Sequence, residues 1–411
     1  MTRQGNNCFR DNPTPSPSPF VAKGEGKHDM KIIIIGGGIA GTACAEELRK
    51  LSSEVEIAIV SEEHTPLYSR ILLPFYLKGK VERERVFLKD ENWYAENNIE
   101  WLPGLRVEKI DHKNSFVELT DGRELPFDKL VIAGGRDTRA LPEDLRGVAY
   151  LWMLDDADHL LQLISEQPRP CAVGVYGGGL IACEFINIFQ NFNFEITVAF
   201  RGPGFWSRVL DKESSELINR HLIKNNIKVL PEAKFISLQG EKELSGVETD
   251  KENFACKILG VGIGLEPDIS WLQDSGLNVG KGIKVNEKMK TNLPNIFAIG
   301  DTAEVFDVHS GHQRIMGTWT AAQFQGRIAA QNILGQEEVF DQVTSSTMNI
   351  LGLDVIFLGD TDREWADEVK VEGSLEEGGV VQIFYKKQKA IGATLINRNS
   401  ERARLLAEIK G

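Results

Sequence analysis

The 411-residue sequence contains only five cysteines, and none of them forms a Cys-x-x-Cys pair. An odd number of scattered cysteines is not typical of a disulfide-stabilised secreted domain and indicates a reducing compartment. We therefore expect a cytoplasmic protein. Cys44 and Cys183 fall within predicted helices, and we interpret them as small buried hydrophobic side chains.

The sequence also lacks long hydrophobic runs and an excess of positive charge. Its longest apolar stretches, such as residues 32–35 and 296–299, have the length of strands and fall far short of the roughly 20 residues that cross a membrane. The net charge of −13 argues against a nucleic acid or an anionic membrane as the main partner. With 42% hydrophobic and 26% charged residues, the composition is typical of a globular protein with two or three cores.

The first 29 residues contain the segment NPTPSPSPF and are rich in proline and polar residues. They lack the apolar core of a signal peptide, so we predict a disordered leader. Because Met30 directly precedes the first predicted strand, translation that begins at Met30 is an alternative interpretation.

Several strand-sized runs are almost continuously apolar, which is typical of parallel sheets covered on both faces. These runs are residues 31–35, 55–60, 129–133, 171–176, 195–200, 256–263 and 296–299. Helical segments follow two glycine turns, so we predict an α/β fold with two doubly wound Rossmann-type nucleotide-binding domains. The first domain is expected from residues 30–148 and 267–336, the second from 149–266, and a small α+β domain from 337–411, where the segments VVQIFY and AIGATLI predict strands.

The first glycine turn, IIIIGGGIAG, fits the pattern G-x-G-x-x-G with Gly36, Gly38 and Gly41. The first glycine permits a tight turn, the second lets a pyrophosphate approach the backbone, and the third lets the helix pack on the strand. An acid at the end of the next strand can accept both hydroxyl hydrogens of an adenosine ribose. Glu62 is our first choice for this acid, and Glu63 is its rival in register.

The second turn, VYGGGLIACE, places Gly177 and Gly179 at the start of another helix. The strand after it ends in Phe200, where an NAD site would carry an acid. The absence of an acid, together with Arg201 and Arg208, favours NADPH over NADH because a guanidinium can donate two hydrogen bonds to a 2′-phosphate. The alternative is that Arg201 is a solvated turn residue and either coenzyme is accepted.

Four blocks together resemble the FAD-dependent pyridine-nucleotide oxidoreductases, in which the first site holds FAD and the second holds NAD(P)H. They are GGGIAG, DKLVIAGG, VYGGGLIACE and TNLPNIFAIGD. Within that superfamily the sequence is most similar to NAD(P)H:rubredoxin oxidoreductases and more loosely similar to the flavin part of assimilatory nitrite reductases. The stretches that carry this likeness are PLYSRILLPFYLKGK, FRGPGFWSRVLD, RIMGTWTAAQFQGRIAAQNILG and KAIGATLINRNSERARLLAEIKG.

The resemblance implies roles for individual residues. Asp301 should bond the FAD ribityl chain, while the candidate catalytic residues Arg70 and Glu184 should lie near the flavin, Glu184 on the nicotinamide side. Thr318 is predicted to cap a helix whose N–H groups face the flavin, where negative charge builds on reduction; a plain helix cap is the alternative. Further cofactor contacts are expected from Ala40, Val107, Gly135, Ile181, Gly264 and Trp319.

The sequence departs from this superfamily in its cysteines and in one lysine. It lacks the Cys-x-x-x-x-Cys pair of the disulfide reductases and the single cysteine that the peroxidase and oxidase branch carries near residues 68–71. Related ferredoxin reductases place a lysine where Phe75 stands, so Glu184 is expected to be unpaired or paired with Arg70. We expect no metal site, because four histidines show no ligand spacing and suit loops or the surface: His64, His112, His309 and His312.

The predicted function is an FAD-dependent NAD(P)H oxidoreductase that passes electrons to a small redox protein such as rubredoxin or ferredoxin. Within enzymes, the alternatives are an oxidase or diaphorase that uses oxygen or quinone and an electron-input subunit of a nitrite-reductase-like system. A flavin-bearing sensing protein related to apoptosis-inducing factors is an alternative of another class. An acidic partner needs a local basic patch, for which Arg136, Arg139 and Arg314 are candidates.

Overall fold

A computed structural model describes residues 29–374 and 377–411, so the predicted disordered leader lies outside the described residues except for Asp29. The strands of the described residues are β1 (Lys31–Ile35), β2 (Glu56–Ser61), β3 (Ile99–Pro103), β4 (Val107–Asp111), β5 (Phe116–Leu119), β6 (Glu124–Pro126), β7 (Lys129–Ile132), β8 (Asp137–Thr138), β9 (Val148–Ala149), β10 (Ala172–Tyr176), β11 (Glu195–Ala199), β12 (Lys228–Leu230), β13 (Phe235–Gln239), β14 (Gly246–Thr249), β15 (Phe254–Ala255), β16 (Ile258–Val261), β17 (Leu265–Glu266), β18 (Ile283–Val285), β19 (Ile296–Ala298), β20 (Ala303–Asp307), β21 (His312–Arg314), β22 (Ser345–Ile350), β23 (Leu353–Gly359), β24 (Glu368–Ser374), β25 (Gly379–Lys386) and β26 (Lys389–Ile396). The helices are α1 (Ile39–Leu51), α2 (Leu73–Leu77), α3 (Glu91–Glu96), α4 (Leu154–Glu166), α5 (Leu180–Asn191), α6 (Lys212–Lys224), α7 (Trp319–Ile333) and α8 (Arg402–Lys410).

The first sheet has the strand order β19-β7-β1-β2-β3, and every neighbouring pair is parallel. β19 comes from the part of the chain that follows the second sheet, so the chain returns to the first sheet. Helices α1 and α7 pack closely against each other beside it. This close approach depends on Gly326, because a Cβ atom there would lie 2.4 Å from the carbonyl oxygen of Ala40.

The second sheet has the order β12-β11-β10-β16-β9 and is also parallel throughout. Helix α5 follows β10 and packs on the sheet through Phe185, which is fully buried. The Phe185 ring occupies the space beside Gly260 of β16, where a Cβ atom would lie 2.4 Å from the ring. A larger residue than glycine would therefore push α5 away from the sheet.

The C-terminal part forms an antiparallel sheet with the order β22-β23-β26-β25-β24. Apolar residues on one face of this sheet, including Ile356 and Leu395, form a core with Leu405 and Ile409 of α8. Residues on the other face, including Val355 and Ile396, join the core around α5. The C-terminal sheet is thus packed directly on the second unit, which is formed by the second sheet and α5.

The parallel pairing of the predicted apolar runs confirms the α/β class. The run at residues 256–263 is only partly strand, because β16 ends at Val261 and the chain then turns at Gly264, whose φ is +115°. The strands predicted in VVQIFY and AIGATLI correspond to β25 and β26. The limits proposed for the domains remain a prediction. In the part of the chain that the structure describes, no helix is both long and apolar enough to pass through a membrane.

Candidate functional site

A cavity of about 1090 Å³ lies at the carboxyl ends of β1, β2 and β7 and extends to α5 and β22. This is the edge of a parallel sheet at which doubly wound folds bind ligands, and the volume slightly exceeds the roughly 300–1000 Å³ of small-molecule sites. Thirteen of the residues predicted for the site line it: Gly36, Gly38, Ala40, Glu62, Glu63, Arg70, Val107, Gly135, Ile181, Glu184, Asp301, Thr318 and Trp319. The cavity wall does not include Gly41, Gly177, Gly179, Arg201, Arg208 or Gly264.

The geometry of the first glycine turn fits a bound pyrophosphate. Gly36 has a φ of +110°, and a Cβ atom there would lie 2.2 Å from the Ala133 carbonyl oxygen. At Gly41 a Cβ atom would lie 2.1 Å from the Gly36 oxygen. At Gly38, by contrast, no protein atom lies within 4 Å of that position, and no side chain caps α1. The free N–H groups of the helix start therefore face open space, as an anion-binding turn requires.

Of the two candidate acids, Glu63 is the more buried and the more strongly hydrogen-bonded. The Glu63 carboxylate accepts a hydrogen bond from the Tyr68 hydroxyl and forms an ion pair with Arg70 at 2.7 Å. The Glu62 side chain is 69% exposed and lies 3.6 Å from Arg106, whereas that of Glu63 is 26% exposed. Both acids line the cavity, and which of them contacts the ribose remains a prediction.

Of the two alternatives expected for Glu184, the structure agrees, over the residues it describes, with an unpaired carboxylate, and pairing with Arg70 is wrong. Arg70 is held by Glu63, by Tyr68 and by the carbonyl oxygen of Trp152 at 2.9 Å. Among the described residues, Glu184 has no ion-pair partner. Burial raises the pKa of the Glu184 carboxyl, and the positive charge of Lys78 opposes this shift. Lys78 is therefore the cation that stabilises the ionised form of Glu184, and it also lines the cavity.

Lys78 is a site residue that our sequence interpretation missed. It directly follows α2, and its ammonium lies 4.9 Å from the centre of the Phe75 ring. Residues three apart on a helix share a face, so the spacing of Phe75 and Lys78 was the signal that could have identified it. Lys78 thus places a positive charge at the end of the helix that contains Phe75.

The segment from Asp301 to α7 closes another side of the cavity. The Asp301 carboxylate accepts two hydrogen bonds from Arg136, at 2.9 and 2.6 Å, and the two side chains are only 16% and 19% exposed. The Thr318 hydroxyl accepts a hydrogen bond from the N–H of Ala321 at 3.2 Å, which confirms the predicted helix cap. Since Thr318 and Trp319 line the cavity, the positive end of α7 points to it.

Two expectations about surface residues are wrong. Arg136, Arg139 and Arg314 do not form a basic patch, because each is paired with a carboxylate: Asp301, Glu266 and Asp307, respectively. His312 does not lie at the surface. It is buried 3.0 Å from Asp360 and stacks on the Trp365 ring at 4.0 Å.

The second glycine turn repeats the geometry of the first. Gly177 has a φ of +141° and would place a Cβ atom 2.1 Å from the Gly262 oxygen, whereas Gly179 has no protein atom within 4 Å of a Cβ atom. Helix α5 also begins without a side-chain cap. The turn therefore presents free N–H groups to open space, like the turn before α1.

The segment after β11 begins with a buried aromatic ring and contains two exposed arginines. The buried Phe200 ring faces the second turn, where a Cβ atom at Gly178 would lie 3.3 Å from it. Arg201 and Arg208 are exposed, and neither makes an ion pair or hydrogen bond within residues 29–374 and 377–411. The carbonyl oxygen of Gly264, which directly precedes β17, accepts a hydrogen bond from the N–H of Arg139 at 3.0 Å.

Comparison with known proteins agrees with this geometry. Residues 30–326 match the family described as pyridine nucleotide-disulphide oxidoreductase. The chain is 30% identical to an NADH oxidase of Methanocaldococcus jannaschii over 334 residues, which cover 79% of this chain and 74% of the relative. It is 27% identical to a rubredoxin-NAD(+) reductase of Pseudomonas putida over 387 residues, which cover 93% of this chain and 99% of the relative.

Other relatives are longer than this chain, which spans only 47% of a nitrite reductase [NAD(P)H] of Bacillus subtilis, to which it is 28% identical. Among solved structures, the covalent putidaredoxin reductase-putidaredoxin complex has the same fold, with a TM-score of 0.86 and 24% identity over 93% of this chain and 94% of that one. From the two glycine turns, the cavity beside the first of them and these matches, we conclude that the chain is an oxidoreductase of the pyridine nucleotide-disulphide oxidoreductase family.

Proposed function

We propose that the protein transfers electrons from a nicotinamide coenzyme through bound FAD to a small redox protein of the rubredoxin or ferredoxin type. The observation that carries this proposal is a continuous cavity that joins the first glycine turn, the start of α7 and Glu184 of the second unit. The full-length likeness to a rubredoxin-NAD(+) reductase supports the class of acceptor. FAD, when bound, supplies the chemistry, since it accepts two electrons as a hydride and can release them singly.

The chain's own residues would bind and orient the cofactors. The open space at Gly38 would admit the FAD pyrophosphate to the start of α1, and Glu63 would accept hydrogen bonds from the adenosine ribose. Asp301, held by Arg136, would bond the ribityl chain, and the N-terminus of α7 would face the part of the flavin that becomes negative. Glu184 would lie at the nicotinamide side.

We propose that no cysteine takes part in the electron transfer. No cysteine is among the residues that line the cavity within the described chain. Burial raises the pKa of Cys44 and of Cys183 well above the usual value of a thiol, so neither forms the nucleophilic thiolate readily. Electrons would therefore pass from the flavin to an external acceptor without a protein disulfide.

We further propose that the coenzyme is NADPH. Phe200 fills the position of the expected acid with an apolar ring, while Arg201 and Arg208 carry unpaired charge beside the second turn. A hydrogen bond to a charged group contributes about 1.5 to 3 kcal/mol, so Arg201→Ala should weaken NADPH about 10- to 100-fold and leave NADH almost unchanged. Steady-state kinetics with both coenzymes test this: equal losses, or a wild-type enzyme that prefers NADH, would refute it.

Stopped-flow reoxidation of the reduced enzyme tests the acceptor. We expect rubredoxin or ferredoxin to reoxidise the flavin much faster than oxygen or a quinone does. If oxygen is the fastest acceptor, the protein is an oxidase, the activity named for its Methanocaldococcus jannaschii relative. Fast reaction with a quinone alone would indicate a diaphorase.

A further inference from the structure

The loop between β11 and α6, residues 200–211, carries both unpaired arginines; we call it the arginine loop. One side of it is attached to the second glycine turn. The N–H of Trp206 donates a hydrogen bond to the Gly178 carbonyl oxygen at 2.8 Å, and Phe200 lies against Gly178. The position of the arginines relative to the turn therefore depends on the conformation of this loop.

The other side of the arginine loop is attached to the C-terminal sheet by Gln382 of β25. Its side-chain oxygen accepts a hydrogen bond from the N–H of Asp211 at 2.9 Å, and its amide nitrogen donates one to the Val209 carbonyl oxygen at 3.2 Å. A second contact comes from Trp206, whose ring lies edge-on to Phe357 of β23 with 5.2 Å between the ring centres. The C-terminal sheet thus holds the loop at its backbone and at its largest side chain.

Gln382 is unusual for its surroundings. It is 1% exposed, and its chain neighbours Val380, Val381, Ile383 and Phe384 are equally buried and apolar. A buried amide destabilises a fold unless its donor and acceptor both find partners. In Gln382 both partners are backbone groups of the arginine loop, so the residue contributes to the position of the loop and not to the apolar packing of its own sheet.

We propose that Gln382 is a positioning residue for coenzyme selection, through which the C-terminal domain holds Arg201 and Arg208 where they reach the 2′-phosphate of NADPH. This inference rests on the proposed preference for NADPH. It extends that proposal by giving the C-terminal domain a part in coenzyme binding, although the domain contributes none of the glycine turns. These contacts restrict the conformation of the loop, so less conformational entropy is lost when the phosphate binds.

The test is the binding of NADP⁺ and NAD⁺ to the FAD-loaded protein, measured by isothermal titration calorimetry. Gln382→Met keeps the length of the side chain and removes both hydrogen bonds, and it should weaken NADP⁺ about three- to tenfold while changing NAD⁺ less than about twofold. Amide hydrogen exchange in residues 201–210 should become faster. In a background in which Arg201 and Arg208 are both replaced by alanine, Gln382→Met should have almost no further effect on NADP⁺, because the glutamine acts through these two arginines.

Thr394→Val is the matched control. Thr394 lies directly opposite Gln382 on β26 and is equally buried, but its hydroxyl has no hydrogen-bond partner among the described residues. This variant should bind both coenzymes as the wild type does. If Gln382→Met folds but loses both coenzymes equally, or neither, the positioning role is wrong while the NADPH proposal stands. If Arg201→Ala causes no selective loss of NADP⁺, the NADPH proposal itself fails, and the role of Gln382 fails with it.

Discussion

Gly38→Leu and Gly179→Leu would test the two nucleotide assignments separately. At both positions a Cβ atom meets no protein atom within 4 Å. The backbone is extended at both, with φ −71° and ψ −173° at Gly38 and φ −131° and ψ −163° at Gly179, which any L-residue can adopt. The stability of the cofactor-free protein should therefore change by no more than about 0.5 kcal/mol in either variant.

Each variant should weaken the binding of one cofactor and leave the binding of the other unchanged. A leucine at Gly38 would fill the space through which a pyrophosphate reaches the N–H groups of α1. The loss of about two charged hydrogen bonds, each worth about 1.5 to 3 kcal/mol, amounts to about 3 to 6 kcal/mol, or about 10²- to 10⁴-fold in FAD affinity. Gly179→Leu should weaken NADPH by a similar factor and leave FAD at one per chain.

Flavin absorbance of the purified proteins and fluorescence titration of the apoproteins with FAD measure the effect, and thermal unfolding without cofactor measures the fold. Gly41→Ala provides a contrast, because its Cβ atom would lie 2.1 Å from the Gly36 oxygen and should destabilise even the cofactor-free protein. The reasoning would be refuted if Gly38→Leu retained FAD with wild-type affinity, or if Gly179→Leu lost it.

Three further outcomes follow from the site. Burial raises the pKa of Glu184 above the usual 4.5, so the wild type loses stability when the Glu184 carboxyl ionises as the pH rises. Glu184→Gln should therefore be more stable than the wild type in urea unfolding at alkaline pH. The two proteins should be equally stable once the pH is well below 4.5. Lys78→Met should raise the Glu184 pKa further and shift the pH profile of flavin reduction upward, whereas an unshifted profile would contradict the coupling. Cys44→Ala combined with Cys183→Ala should cost about 1 kcal/mol of stability but leave the rate of flavin reduction nearly intact in stopped flow, and a folded, FAD-bound variant without flavin reduction would contradict a thiol-free path.

Local patterns explain why much of this protein could be predicted from the sequence. An apolar run such as residues 129–133 is buried on both faces wherever it lies in a parallel sheet. The glycines of both turns were identifiable because close contacts such as that of Gly36 with Ala133 allow no side chain. The cap at Thr318 involves residues only three apart. In each case the interacting atoms are close in sequence or the residue type itself carries the constraint.

The tertiary structure decided which charged and polar side chains meet. The sequence alone determined that two glycine turns precede helices, but it could not show that Arg70 pairs with Glu63 instead of Glu184, or that Lys78 is the cation near Glu184. The link from Gln382 to the arginine loop joins residues 171 and 173 positions apart. Such contacts depend on how the sheets and helices pack. No sequence pattern indicates which distant residue a charged or amide side chain will contact.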